Sequence, residues 1–224
     1  MIDLTKQYEF FKPELVDKRV HIIGCGSVGS TIAENLVRCG ISNLTLYDFD
    51  KVEAHNITNQ MFRYGDIGSL KVDALKEILV EIDPAAKSTI KTNSSGWNGE
   101  MLSGYVFLAC DSIEVRKKFV EEQKNNMTIK AVFDIRTMIT GAQHYAADWR
   151  NIKMKEDLLE SMNFTHEEAR VETPVSACGV TLGIVTTVRL ISALAINNLI
   201  NFVKGNNIWK FVQIDGFKAW LDCF

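Results

Sequence analysis

The chain lacks most of the features that would mark it for several common roles. Its five cysteines, Cys25, Cys39, Cys110, Cys178 and Cys223, are scattered and odd in number, and no two stand in C-x-x-C spacing. A zinc ligand set is therefore not visible and a disulfide framework is not expected, which points to a reduced protein without structural zinc. Charge of neither sign dominates: 25 Lys and Arg against 28 Asp and Glu leave a formal net charge of −3. Such a chain offers no positive field to nucleic acid or to an anionic membrane. The opening MIDLTKQYEFF has no basic-then-apolar layout of a signal peptide, so a cytoplasmic location is expected. There is no internal repeat and no low-complexity tract. At 224 residues the expected unit is a single domain over 1–224.

One apolar run resembles a membrane span. Residues 175–203 are mostly apolar, but Arg189 sits near the centre, and Asn197, Asn198 and Asn201 follow. These side chains are costly in lipid. The expectation is a buried helix over 178–204, with a subunit contact as a secondary role.

The stretch that organises the chain is 20–50, VHIIGCGSVGSTIAENLVRCGISNLTLYDFD. Val20, Ile22 and Ile23 form a buried-strand run. Gly24, Gly26 and Gly29 follow in G-x-G-x-x-G spacing, which suits a tight turn, close approach of backbone to a phosphate, and helix–strand packing. Val28, Ile32, Leu36 and Val37 share a helical face, Gly40 stops the helix, and a second strand begins at Leu44. Free N–H groups and the helix dipole at 27–31 make an anion site. Asp48 then stands where a nucleotide-binding unit places an acid for the ribose hydroxyls.

Beyond Asp50 the chain runs through a polar loop at 51–68, long for a compact domain. A helix at 70–82, capped by Ser69, ends at Asp83-Pro84. Strands are expected at 88–91, 105–110 and 129–133, with a charged helix at 114–124. This alternation predicts an α/β, Rossmann-like doubly wound, mostly parallel sheet, with its nucleotide-binding core at 14–135. Asp48, Asp111 and Asp134 all fall at predicted strand ends and should border one cleft. The later part, 136–224, reads as an antiparallel C-terminal extension. It has an extended segment at 138–147, a mobile crossing segment at 149–172, the buried helix, and a strand at 208–214.

The order D-F-D-K-V-E-A-H-N-I-T-N-Q, followed by Gly68, Ser69, Leu70 and Lys71, adds to the glycine loop and to an Asp after the fourth strand. In that order the sequence resembles the ThiF/MoeB/HesA family, the bacterial relatives of ubiquitin-activating enzymes. The resemblance is good over 15–134 and weaker over 174–204. It implies an ATP- and Mg²⁺-dependent adenylyltransferase acting on the C-terminal carboxylate of a ubiquitin-like or sulfur-carrier protein or of a peptide. It also implies a homodimer. By the same resemblance Gly24, Gly26 and Gly29 line the nucleotide and Asp48 holds the ribose. Asp50 stands beside it in the acidic pair, Asn56 and Gln60 shape the phosphate loop, Lys71 contacts the phosphates, and Asp111 holds the metal. Some relatives use a cysteine after adenylation, and Cys178 is the candidate here.

Plainer roles stand beside these. Lys71 suits a solvated first-turn lysine, Asp111 suits the cap of a helix, and Asn56 and Gln60 suit bracing of their own loop. Cys178 suits a buried small hydrophobe, Cys25 and Cys110 read as packing residues, and His55 as structural. The sequence also departs from the family. Many members carry an arginine where this chain has Asn59, and another near the N-terminus, where no arginine precedes Arg19. Arg63 or Arg136 would have to supply the missing charge. Without it the chain reads as a non-catalytic scaffold subunit. A third reading of the glycine loop is an NAD-dependent oxidoreductase.

Overall fold

The computed structural model describes residues 2–164 and 183–224. The first strand, β1 (Val20–Ile23), forms because a β-branched run is buried on both sides. It leads through α1 (Ser27–Arg38) to β2 (Leu44–Tyr47). Then follow α2 (Lys71–Ile82), β3 (Lys91–Asn93), β4 (Gly104–Leu108), α3 (Ile113–Gln123) and β5 (Ile129–Thr137). The remaining elements are β6 (Gly141–Asp148), α4 (Ile152–Glu160), α5 (Val185–Val203), β7 (Phe211–Asp215) and β8 (Trp220–Cys223).

The eight strands among the described residues belong to one sheet in the order β3-β2-β1-β4-β5-β6-β7-β8. The first five are parallel and the last three are added antiparallel. β2 and β3 lie on one side of β1, and β4 and β5 on the other. The chain thus reverses its direction of winding between β1 and β4, and sheets of this kind bind ligands beyond the strand ends at that point. The expected doubly wound sheet with an antiparallel extension is what forms.

Alternation along the central strands builds two cores. Val20, Ile22, Tyr105, Phe107, Ala131 and Phe133 face the layer that includes α1, α2 and α5. Ile23, Val106, Leu108 and Val132 face α3 and α4. Apolar side chains on both faces are what a parallel sheet covered by helices requires. Helix α5 is long and apolar enough to cross a membrane by length and composition. Here Ile191, Ala195 and Leu199 are buried in the first core. Arg189 pairs with Glu34 of α1 at 3.1 Å, and the buried Asn198 bonds the backbone of Trp209.

Several local expectations are corrected. The third strand lies at Lys91–Asn93, because Asp83 accepts from the Ala85 N–H and winds 84–88 into a 3₁₀ turn first. Helix α2 begins at Lys71 with Leu70 as its N-cap residue; Ser69 instead gives its carbonyl to the Val52 N–H. The segment 149–172, expected to be mobile, contains α4 in its described part, 149–164; residues 165–172 lie outside the described residues. Met154 and Leu158 bury one helical stripe, and Asn151 caps the helix by accepting from the Met154 N–H at 3.2 Å. Strand β5 runs on to Thr137, which places Asp134 inside it, fully buried, and not at the cleft. The end piece holds the extra strand β8.

Two buried histidines make stability depend on pH. His21 lies between the Tyr47 hydroxyl and the Ser103 carbonyl at 3.1 Å each. His144 stacks on Phe133 and meets Asn198 Nδ2 at 2.9 Å. Burial lowers His21 to about 4 and His144 to about 3. Both are neutral in the folded protein and bind protons on unfolding below the ordinary pKa near 6.5. Stability is therefore full above that pH and is lost as pH falls through it, by ~1.4 kcal/mol per pH unit per histidine. Urea melts at pH 7 and pH 5 should differ by roughly 3–4 kcal/mol, and replacing either histidine should flatten the profile. Equal midpoints at the two pH values would contradict the assignment.

Candidate functional site

β1 ends at Ile23 and the chain turns at once. Gly24 has φ +94°, and a Cβ there would lie 2.5 Å from the backbone nitrogen of Cys110. Only glycine lets the turn pack this closely on the end of β4. Gly29 is tighter still: an added Cβ would lie 1.8 Å from the Gly24 carbonyl oxygen. Gly26 differs, since a Cβ there would meet nothing within 4 Å. It is the N-cap residue of α1, and among the described residues no side chain caps that helix. The first N–H groups and the positive dipole end of a 12-residue helix are thus left for an anion.

Asp48 closes one side of this opening. Its carboxylate accepts from the Cys25 N–H at 2.6 Å and the Asp50 N–H at 2.8 Å. Burial nevertheless outweighs these bonds and raises its pKa from the ordinary aspartate value. Lys71 opens α2 and reaches back to the Asp50 carboxylate at 2.8 Å, while its N–H bonds the Asp50 carbonyl at 2.9 Å. The lysine is only 8% exposed, so it is not a solvated first-turn side chain. Asp50 offsets its conflict with the helix dipole.

Asp111 follows β4 and is exposed. Ser112, and not Asp111, caps α3 by accepting from the Val115 N–H at 3.2 Å. Because Gly24 packs on Cys110, Asp111 is one residue from the glycine turn. Lys71 and Asp111 stand at the same carboxyl end of the sheet, although α2 and α3 cover opposite faces. Among the described residues no three His, Cys, Asp or Glu side chains gather around a metal position. One exposed carboxylate beside an anion site fits magnesium, which binds through one or two carboxylates together with phosphate oxygens and water.

Asn56 and Gln60 belong to a loop closed at its neck by the Lys51–Leu70 bridge. Asn56 is buried and uses its Oδ1 on the Glu53 N–H at 2.9 Å, so it braces its own loop. Gln60 Oε1 is buried and has no hydrogen-bond partner among the described residues. The loop is tied to α1 by the Met61 N–H on Ser30 Oγ at 3.2 Å. Asn59 reaches the Gly183 carbonyl at 3.4 Å.

The arginines expected to supply charge are engaged elsewhere. Arg63 is held by Asp66 and by both oxygens of Glu81 at 2.7 Å. Arg136 bonds Asp134 and the carbonyl and hydroxyl of Ser161, with its guanidinium 4.4 Å over the Tyr145 ring. Among the described residues neither guanidinium bonds to the glycine turn. Cys178 lies outside the described residues. Cys25 is buried and Cys110 partly buried, and desolvation raises both thiols, so neither is a reactive thiolate at neutral pH.

Sequence reasoning missed Arg116. It is 6% exposed and bonds Asp134 and the carbonyls of Leu108, Cys110 and Ile135. Burial lowers its pKa to about 10, so it stays charged at neutral pH. Removing one partner of such a pair costs about 3–5 kcal/mol. A signal was available: Arg116 takes a core-facing position on α3, in line with the buried Ile113, Val120 and Gln123.

With this geometry in place, comparison with known proteins is decisive for the family. The model of the ThiF family matches residues 9–221. The chain belongs to the ThiF family. Ubiquitin-like modifier-activating enzyme 5 of Arabidopsis thaliana is 49% identical over 65 residues, 29% of this chain and 15% of that protein. The protein of the same name from Caenorhabditis briggsae is 38% identical over 81 residues, 36% of this chain and 18% of that protein. The matches therefore span less than a fifth of these relatives. Among solved structures, PaaA superimposes with a TM-score of 0.68 at 17% identity, over 100% of this chain and 68% of that one. Escherichia coli MccB with MccA gives 0.72 at 16% identity, over 94% of this chain and 64% of that one. The ThiF fold accounts for both the parallel half and the antiparallel extension.

The glycine turn predicts its own test. Gly29→Ala forces the Gly24 carbonyl away and should destabilise the chain by ~2 kcal/mol or more, read as a fall in the thermal midpoint. Gly26→Ala, where the space is open, should leave that midpoint nearly unchanged. Equal effects from the two would contradict the described turn.

Proposed function

We propose that this ThiF-family chain binds ATP with Mg²⁺ and adenylates the C-terminal carboxylate of a ubiquitin-like or sulfur-carrier protein or peptide, releasing pyrophosphate. The observation that carries this is the uncapped start of α1, open at Gly26, with Lys71 and Asp111 at the same end of the sheet. The names of the relatives support it, as do the solved complexes of MccB with ATP and with MccA.

In this reading the N–H groups at the start of α1 hold phosphate oxygens, and Asp48, anchored by two backbone N–H groups, receives the ribose hydroxyls. Lys71 exchanges part of its attraction to Asp50 for the phosphates. Asp111 would hold the magnesium, whose charge offsets that of the phosphate oxygens when bound. A carboxylate oxygen of the cargo forms a bond to the α-phosphorus, and the bond to the bridging oxygen breaks with its electron pair leaving on pyrophosphate. A carboxylate is nucleophilic without a base, so the residues position and neutralise and do not move protons. The cargo's terminal segment, in this reading, uses a cavity of about 480 Å³ at the same end of the sheet, lined in part by Met138, Thr140, Gln213, Lys218 and Trp220. We infer a homodimer and a cytoplasmic location on the family resemblance and the chain's composition.

The engagement of Arg63 and Arg136 favours one competing reading, a scaffold subunit that binds nucleotide and turns over little. Pyrophosphate exchange with a cargo ending in Gly-Gly separates the two. An active enzyme returns labelled pyrophosphate to ATP, and Lys71→Ala should lower kcat/KM ~10²–10³-fold with the fold intact. ATP binding without exchange across candidate cargoes would make the scaffold the better account. Binding of NAD in preference to ATP would overturn both.

A further inference from the structure

We propose that Arg116 is the positioning residue of this site: it fixes the turn between β4 and α3 so that Asp111 faces the nucleotide and its metal. The proposal rests on the nucleotide reading above. Asp111 is exposed and stands on a short turn between Leu108, the last residue of β4, and Ser112, the N-cap residue of α3. A carboxylate in such a place is useful only if its backbone is held still.

Arg116 holds it from beneath. Its Nε donates to the Cys110 carbonyl at 2.9 Å, and Nη2 donates to the same oxygen. That carbonyl belongs to the peptide that joins Cys110 to Asp111. Nη1 donates to the Leu108 carbonyl at 3.1 Å and to Asp134, and Nη2 also donates to the Ile135 carbonyl at 2.9 Å. All five N–H donors of the guanidinium are thereby used, in a fork that a lysine's point charge cannot reproduce. The other oxygen of Asp134 is held by Arg136 Nε at 2.8 Å, which anchors the clamp to β5. A buried apolar side chain would serve packing at least as well as this charged group. What the arginine adds is a fixed peptide immediately before Asp111, the next one along from the Ala109–Cys110 peptide on which Gly24 packs.

The test uses the full chain and reads metal linkage as well as activity. The ATP dissociation constant is measured by calorimetry with and without Mn²⁺, a probe for the Mg²⁺ site. In the parent Mn²⁺ should tighten ATP at least 10-fold. In Arg116→Lys, with circular dichroism unchanged, the gain should shrink below 3-fold while metal-free ATP affinity stays within 3-fold. Asp111→Asn should lose the gain in the same way, and the double variant should be no worse than Asp111→Asn alone. If Arg116→Lys does not fold, Asp134→Asn should show a partial loss of the Mn²⁺ gain. A folded Arg116→Lys or Asp134→Asn with the full gain, or additive losses in the double variant, would overturn the proposal. A full gain in Asp111→Asn would overturn the metal assignment and this proposal with it. Metal linkage lost as described, but with no pyrophosphate exchange in the parent, would support Arg116's role and overturn only the adenylation reading.

Discussion

Two backbone contacts set the spacing of this molecule's functional end. The Gly24 carbonyl fills the place of a side chain at Gly29, and Gly24 itself lies against the backbone at Cys110. The first contact fixes how closely α1 approaches the sheet, and the second fixes how closely the β1 turn approaches β4. Because β1 and β4 are neighbours at the point where the sheet reverses its winding, both contacts fall where ligands of such sheets lie. The open side at Gly26, the anchored Asp48 and the turn bearing Asp111 all take their positions from them.

Around that frame the protein handles charge in two ways. At the front, Lys71 and Asp50 form a pair in which the lysine is buried and the carboxylate half-exposed. Such a pair keeps a cation in place without committing it fully, since the exposed partner is well solvated. Behind the sheet edge, Arg116 and Arg136 share the buried carboxylate of Asp134. Two cations on one anion leave a positive excess there, and burial lowers both arginines to about 10. That arrangement costs desolvation and is offset by backbone carbonyls at the ends of β4 and β5. The arginines of this region thus serve the frame, and Lys71 is paired with the half-exposed Asp50 instead.

The antiparallel half extends the same edge. Strands β6, β7 and β8 continue the sheet beyond β5, and α5 covers them on the face that also carries α1. Asn198 links α5 to His144 on β6 and to the chain entering β7. A helix apolar enough for a membrane is here a core helix: its apolar stripe is buried, Arg189 is paired with α1, and Asn198 is bonded to β6 and to the chain entering β7.

The parallel half was legible because its signals are local. Glycine spacing, a β-branched run and a helical apolar stripe each act within a dozen residues, and so the strand–turn–helix unit and Asp48 could be read directly. The ordered motifs through Lys71 were legible for the same reason, and they carried the family. The rest depends on which distant groups meet. Asp134 reads as the end of a strand until Arg116, 18 residues earlier, and Arg136 neutralise it and let β5 continue. Arg63 reads as a free cation until Asp66 and Glu81 close on it. Helix α4 was hidden by the charges around two core residues. Sequence by itself determined the glycine turn, the parallel sheet and the acid at the end of β2, since sterics and periodicity leave them little choice. Only the tertiary structure decided which charged side chains are spent on the frame and which face the opening, because the cost of burying a charge depends on partners that the chain brings together only on folding.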